Sequence, residues 1–196
     1  MAIANDQSEP LGIENAMDLL IVLLYTPGTR EQHAEPIDGI TRIQKLMFLL
    51  SQGVGPRQLV REAESCGFVS YKMGPYAPQI IRDLEDLLSA GIVASKRLEY
   101  LLPDDGDNRD LAPHDWERTR TKTKRVESLR YSLTADLGMN VGKELWKSLS
   151  SRERDDLARF KSFFNSLSLR QLLIFTYERY PDWTTESTIK EQLGLT

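Results

Sequence analysis

Ile80, Ile81, Leu84, Leu87 and Leu88 fall at i, i+1, i+4, i+7 and i+8, the clearest amphipathic stripe in the 196-residue chain. A stripe of this period requires a helix with one apolar face turned to a core. Its surroundings narrow the fold further. Residues 68–75 read as a short extended piece ending in the turn signal Gly74-Pro75, and Pro78 is tolerated in a first helical turn. Gly91 closes the helix. Two strand-like stretches follow, Ile92 to Leu102 and Glu127 to Leu133, separated by the polar segment 103–126.

Three helices are expected upstream. The first runs from Glu14 to Tyr25 and stops at Pro27-Gly28. The second starts near Thr41, a plausible N-cap, with Ile40, Ile43, Leu46, Met47 and Leu50 facing the core and Arg42 and Lys45 on the other side. The third is short, Arg57 to Ser65, with Gly67 as its C-terminal cap. Helices followed by strand, loop and strand is the order of a winged helix-turn-helix, and 103–126 would be an enlarged wing tip. Downstream the pattern is helical again. Thr134 would cap a helix from Ala135 to Leu149, and Ser150 and Glu153 have capping-box spacing before a helix carrying Leu157, Phe160, Phe164 and Leu167. Ser168 would cap a helix from Leu169 to Tyr180, ended by Pro181, and a short last segment carries Trp183 and Ile189. The expected fold is therefore mostly α with a small β wing. Residues 1–12 form a flexible N-terminus, 13–134 a winged-helix-like domain, and 135–196 a helical extension packed on it.

Composition bounds the function. With 25 basic and 29 acidic residues the net charge is −4, which disfavours a protein that coats nucleic acid indiscriminately. The single cysteine, Cys66, cannot form an internal disulfide, and the apolar run from Met17 to Tyr25 is too short to span a bilayer. A cytoplasmic protein without membrane partners is expected. No residues announce an enzyme. His33 and His114 sit in separate loops and read as solvated, and Cys66 reads as a small buried residue with no base beside it. Gly53, Gly55 and Gly67 do not form a phosphate-cradling loop. Asp104, Asp105, Asp107 and Asp110 fail the calcium-loop pattern, because Arg109 and Asp115 stand where its glycine and glutamate belong. No catalytic residue, metal or cofactor is expected.

Three segments carry a resemblance. Ile40-Thr-Arg-Ile-Gln-Lys-Leu-Met-Phe-Leu-Leu50 resembles the second helix of the SocA-like antitoxin (Panacea) domains and the YwgA-like bacterial and archaeal proteins. Lys72-Met-Gly-Pro-Tyr-Ala-Pro78 and the helix after it look like their Gly-Pro-aromatic turn. Phe164 to Leu169 and Tyr177-Glu-Arg-Tyr-Pro-Asp-Trp183 are similar to their C-terminal helices. The resemblance implies a winged-helix-like fold with extra helices, and a role among antitoxins, proteolytic adaptors or regulators. It carries over no catalytic residue. Met73 departs from the aromatic residue that often precedes the Gly-Pro, and the wing is longer than usual.

Two surfaces are then candidates for macromolecular binding. The polar face of the helix after the Gly-Pro turn holds Gln79, Arg82, Asp83, Glu85, Asp86 and Ser89, a net charge of −2 that repels phosphate. A protein partner such as a toxin, effector or protease is therefore favoured, contacted by Tyr71, Lys72, Tyr76, Arg82 and Trp183; a second copy of the chain is a further candidate. The aromatic residues Phe160, Phe163, Phe164, Phe175, Tyr177, Tyr180 and Trp183 read first as core and second as interface. The alternative partner is DNA. Arg118, Arg120, Lys122, Lys124 and Arg125, with Arg130 just beyond, make a basic run in which alternation puts the first four on one face of an extended chain.

Overall fold

The computed structural model describes residues 12–102 and 124–195. These residues are mostly helical, with two small antiparallel sheets. Helix α1 (Ala16–Tyr25) starts two residues later than expected, because the Asn15 side chain caps it by accepting from the Asp18 N–H at 3.0 Å. From Leu19 to Tyr25 it is buried on every side, so it forms the axis of the core rather than a surface helix. A strand not anticipated from sequence follows: β1 (Ile37–Asp38), two residues that pair antiparallel with a later strand.

Helix α2 (Ile40–Ser51) enters directly from β1 through Gly39, whose φ of 87° suits glycine, while its N–H donates to the Leu129 carbonyl. Thr41 is thus inside the first turn and does not cap the helix. The expectation that Arg42 and Lys45 face outward is also overturned. Both are buried, because α2 is covered on all sides and main-chain carbonyls of other elements receive their side chains. The third helix is shorter than expected: a 3-10 turn (Arg57–Leu59) leads into α3 (Val60–Glu64).

The stretch before the amphipathic helix is a hairpin, β2 (Val69–Tyr71) and β3 (Gly74–Tyr76). Gly74-Pro75 lies in its second strand, and the turn is made by Lys72 and Met73. Helix α4 (Pro78–Ser89) buries Ile80, Leu84 and Leu87 as its stripe requires. Asp83, read as exposed, is also buried, and it accepts from Gln79 Nε2 at 2.6 Å one turn back. The outward charge of α4 therefore falls to Arg82 against Glu85 and Asp86.

Strands β4 (Val93–Leu102) and β5 (Lys124–Leu133) form a ten-rung antiparallel ladder from Val93↔Leu133 to Leu102↔Lys124. The second strand begins three residues earlier than expected, so residues 124–126 belong to the ladder and not to the insert. Sheet order is β1-β5-β4. Helices α5 (Leu137–Ser148), α6 (Ser151–Ser166) and α7 (Leu169–Arg179) follow, then a 3-10 turn (Pro181–Thr184) and α8 (Lys190–Leu193). Thr134 stands just outside α5, and its hydroxyl accepts from the Gly138 N–H at 2.9 Å. Both α6 and α7 open on complete capping boxes, Ser150 with Glu153 and Ser168 with Gln171.

One apolar core joins α1, α2, α4 and the sheet to Leu145, Leu157, Phe160, Phe164 and Leu172 of the C-terminal helices. A smaller cluster of Leu173, Tyr177, Ile189 and Leu193 lies under the hairpin, with Met73 packed on it. No helix of the described residues is long and apolar enough to cross a membrane.

Candidate functional site

The β2–β3 hairpin is held from three directions. Gln44 on α2 treats the strand as a neighbouring peptide would: its Nε2 donates to the Ala77 carbonyl and its Oε1 accepts from the Ala77 N–H, both at 2.9 Å. Lys45, one residue on, donates from Nζ to the Pro75 carbonyl at 2.8 Å. Burial pulls the Lys45 ammonium down to about 7. On the other edge, Ser70 Oγ donates to the Trp183 carbonyl at 3.1 Å, and the Thr188 N–H donates to the Lys72 carbonyl at 3.0 Å. At Gly74 (φ 79°) a Cβ would stand 2.7 Å from the Tyr177 ring, so only glycine lets the hairpin close on α7.

On this fixed mount the outer face presents Val69 (50% exposed) and Tyr71 (37% exposed). The Tyr71 ring lies 5.0 Å from that of Tyr76, and Lys72 Nζ sits 5.8 Å above the Tyr71 centroid. The structure thus brings three of the expected contact residues together. Arg82 is a turn into α4, where Nε and Nη2 donate to Gln79 Oε1 at 3.1 and 2.7 Å. Trp183 is not brought to that face. Its ring packs 5.2 Å from Phe48 in the core, and its carbonyl anchors β2 from below.

The basic residues divide differently. Arg118, Arg120 and Lys122 lie outside the described residues. Lys124 and Arg125 open β5 opposite Leu102 and Leu101. Arg130 is far down the ladder, where its Nε and Nη2 bind Asp38 Oδ1 and Oδ2 at 2.6 and 2.8 Å. That fork-on-fork pair ties β5 to β1, so Arg130 serves the base of the sheet and not the wing tip.

Beside that pair the structure shows a polar cleft of about 160 Å³ that sequence reading did not find. Thr29, Arg30, Glu35, Pro36, Asp38 and Arg42 line it, closed by Arg130 and Asn165. Glu35 is its floor. Its carboxylate accepts from Thr29 Oγ1 (3.0 Å), the Arg30 N–H (2.8 Å) and Asn165 Nδ2 (2.9 Å). Burial pushes the Glu35 pKa up, but these hydrogen bonds outweigh it and hold the carboxyl below its ordinary value. The loop folds tightly to make this floor. A Cβ on Gly28 would lie 2.5 Å from the Glu35 carboxyl, and Glu31 and Ala34 adopt φ of 56° and 60° without being glycine. Beneath it, Lys161 is fully buried, donating to the carbonyls of Leu24 (3.0 Å), Thr26 (2.6 Å) and Glu35 (2.7 Å). Burial lowers its ammonium to about 7, with the Glu35 charge pulling the other way. Arg42 Nη1 reaches the Phe164 carbonyl at 2.9 Å. One signal for the cleft was present in the sequence: Arg42 sits among the apolar residues of α2.

His33 also has a defined place. It is stacked 4.6 Å from Tyr25 and edge-on to Trp146 at 5.5 Å, beside the C-terminal end of α1. Cys66 is buried, its thiol pushed up to about 12 by burial and by the Asp83 charge.

The fold and these surfaces define a mostly helical protein with small antiparallel sheets and a presented aromatic hairpin. Comparison with protein-family models, curated proteins and solved structures finds no match for the chain.

Proposed function

We propose that this chain is a non-catalytic macromolecule-binding module of winged helix-turn-helix type, a protein-binding regulator of the antitoxin or adaptor kind. The sheet order β1-β5-β4, with β1 between the first two helices and α4 directly before β4, supports the winged-helix reading. The observation that carries the binding role is the Tyr71–Tyr76 pair with Lys72 and Val69 on a hairpin pinned by Gln44, Lys45 and the 183–188 segment. An exposed Tyr71 braced by the half-buried Tyr76 on rigid backbone gives large contact area at small entropic cost, which is what interface anchors need. The mechanism is steric: the hairpin and the first turn of α4 cover part of a partner or deliver it to another protein. The acidic outer face of α4 argues against a groove-reading helix.

The second reading is a DNA-binding regulator that uses the wing. Its support is that β4 and β5 pair as far as Leu102 and Lys124, which puts Lys124 and Arg125 at the end of the ladder opposite to Val93 and Leu133. A titration with random duplex at two salt concentrations separates the two. It compares wild type with a variant in which Arg118, Arg120, Lys122, Lys124 and Arg125 are changed to Gln. The protein-binding reading expects no salt-sensitive DNA binding. It also expects a partner captured by wild type to be lost with Tyr71→Ala/Tyr76→Ala and kept by the wing variant. Salt-sensitive binding that vanishes in the wing variant replaces it with the regulator reading.

A further inference from the structure

We propose that the cleft between the 29–38 loop, α2, β5 and α6 is a binding site for a small oxyanion, a carboxylate or a phosphate group. The site is separate from the hairpin and does not depend on the role proposed for it.

Charge sets the sign of the ligand. Arg30, Arg42 and Arg130 bring three positive charges to the cleft, and Glu35 and Asp38 bring two negative ones. Both carboxylates are already engaged. Glu35 takes three hydrogen bonds from within the loop and from Asn165, and Asp38 takes both prongs of Arg130. A cation entering the cleft would have to displace those donors, whereas an anion meets the excess of guanidinium charge directly. The Arg30 side chain makes no hydrogen bond or ion pair among the described residues, so it can close over a ligand without breaking a contact. Arg42 is less than one-tenth exposed and is fixed by the Phe164 carbonyl, so its charge is held in place beforehand. Guanidinium groups match the paired oxygens of a carboxylate or phosphate.

Size sets the class. A volume of about 160 Å³ is room for roughly five waters at liquid density, enough for a small oxyanion. The walls are prepared for it. The loop is drawn into left-handed turns at Glu31 and Ala34, and it is locked from below by Lys161. Backbone kept in sparsely populated conformations around a polar cleft is the signature of a pre-organised site.

The test is a thermal-unfolding titration of the whole chain with inorganic phosphate and, separately, acetate, at fixed ionic strength balanced with sodium chloride. One or both anions are expected to raise the midpoint saturably, by roughly 3–6 °C at ten times the dissociation constant. A response to phosphate alone assigns a phosphoryl ligand, and a response to acetate alone a carboxylate. Arg30→Gln is expected to fold normally and to weaken the response about tenfold. Lys96→Gln, an exposed cation on β4 that does not line the cleft, is expected to leave it unchanged. The assignment is overturned if neither anion acts on wild type, or if Arg30→Gln responds as wild type does. Tyr71→Ala/Tyr76→Ala is expected to keep the anion response, so failure here and failure of the hairpin reading are separable.

Discussion

Gln44 does with one side chain what a neighbouring strand would do with a peptide unit, and its loss exposes the consequence. Replacement by Leu keeps the volume but leaves the Ala77 N–H buried without a partner, while the Ala77 carbonyl keeps only the Ile80 N–H at 3.2 Å. An orphaned buried N–H costs about 1–3 kcal/mol, so Gln44→Leu is expected to lower the unfolding free energy by about that much in a urea titration. Phe163 gives the contrast. It is 56% exposed on α6, and Phe163→Ser is expected to change stability by about 0.5 kcal/mol or less. A large loss there would instead reveal a second copy or partner covering it. Sequence periodicity ranks these two residues in the opposite order, because it sees an aromatic residue and a polar one and not their surroundings.

At the scale of elements, the helices with both a cap and a one-sided stripe were legible. Ser150 and Ser168 close their capping boxes where spacing placed them, and Ser150→Ala or Ser168→Ala is expected to cost about 1 kcal/mol each by thermal unfolding. Gly142→Ala on α5 is expected to cost about 1–3 kcal/mol, because the added methyl would meet Tyr25 and Leu133 at 2.8–2.9 Å. What sequence hid were features made by tertiary contact. Strand β1 has two residues and no alternation of its own, and it exists because β5 offers an edge at Arg130 and Tyr131. Arg42 and Lys45 looked solvent-facing because the rule that charges lie outside assumes no carbonyl waits for them, and here Phe164 and Pro75 supply one each. The hairpin tyrosines were identified from the turn that carries them. The cleft was not, because its residues come from the first loop, α2, β5 and α6, and no local pattern links them.

Over the whole molecule, two buried lysines make stability depend on pH. Lys45 and Lys161 release their protons near 7 when folded, against 10.5 for an unperturbed side chain. Between those values the unfolded chain holds more protons than the folded one, so stability rises with pH. The rise has competitors higher up. Cys66 and Tyr177 are both pushed to about 12, so the folded chain resists losing those protons and stability falls as pH passes their ordinary values of 9.0 and 10.0. The urea midpoint is therefore expected to climb from pH 7 to pH 9, corresponding to about 4 kcal/mol of unfolding free energy, and to level off near pH 10. Lys45→Met is expected to flatten part of that climb. A midpoint that fell over the same range would place both ammonium groups in contact with water.

Lys161 also imposes an order on synthesis. The carbonyls it satisfies belong to Leu24, Thr26 and Glu35, and it follows the first of them by 137 residues. As the chain leaves the ribosome, the end of α1 and the loop beyond it must wait, incomplete, until α6 has emerged. A nascent chain stalled with only residues 1–134 outside the tunnel is expected to stay protease-sensitive around residue 30, and one stalled past α6 to become resistant. The last helices are thus a condition for the first one to finish folding, and a gene cut between them would encode two fragments that each lack part of the same core.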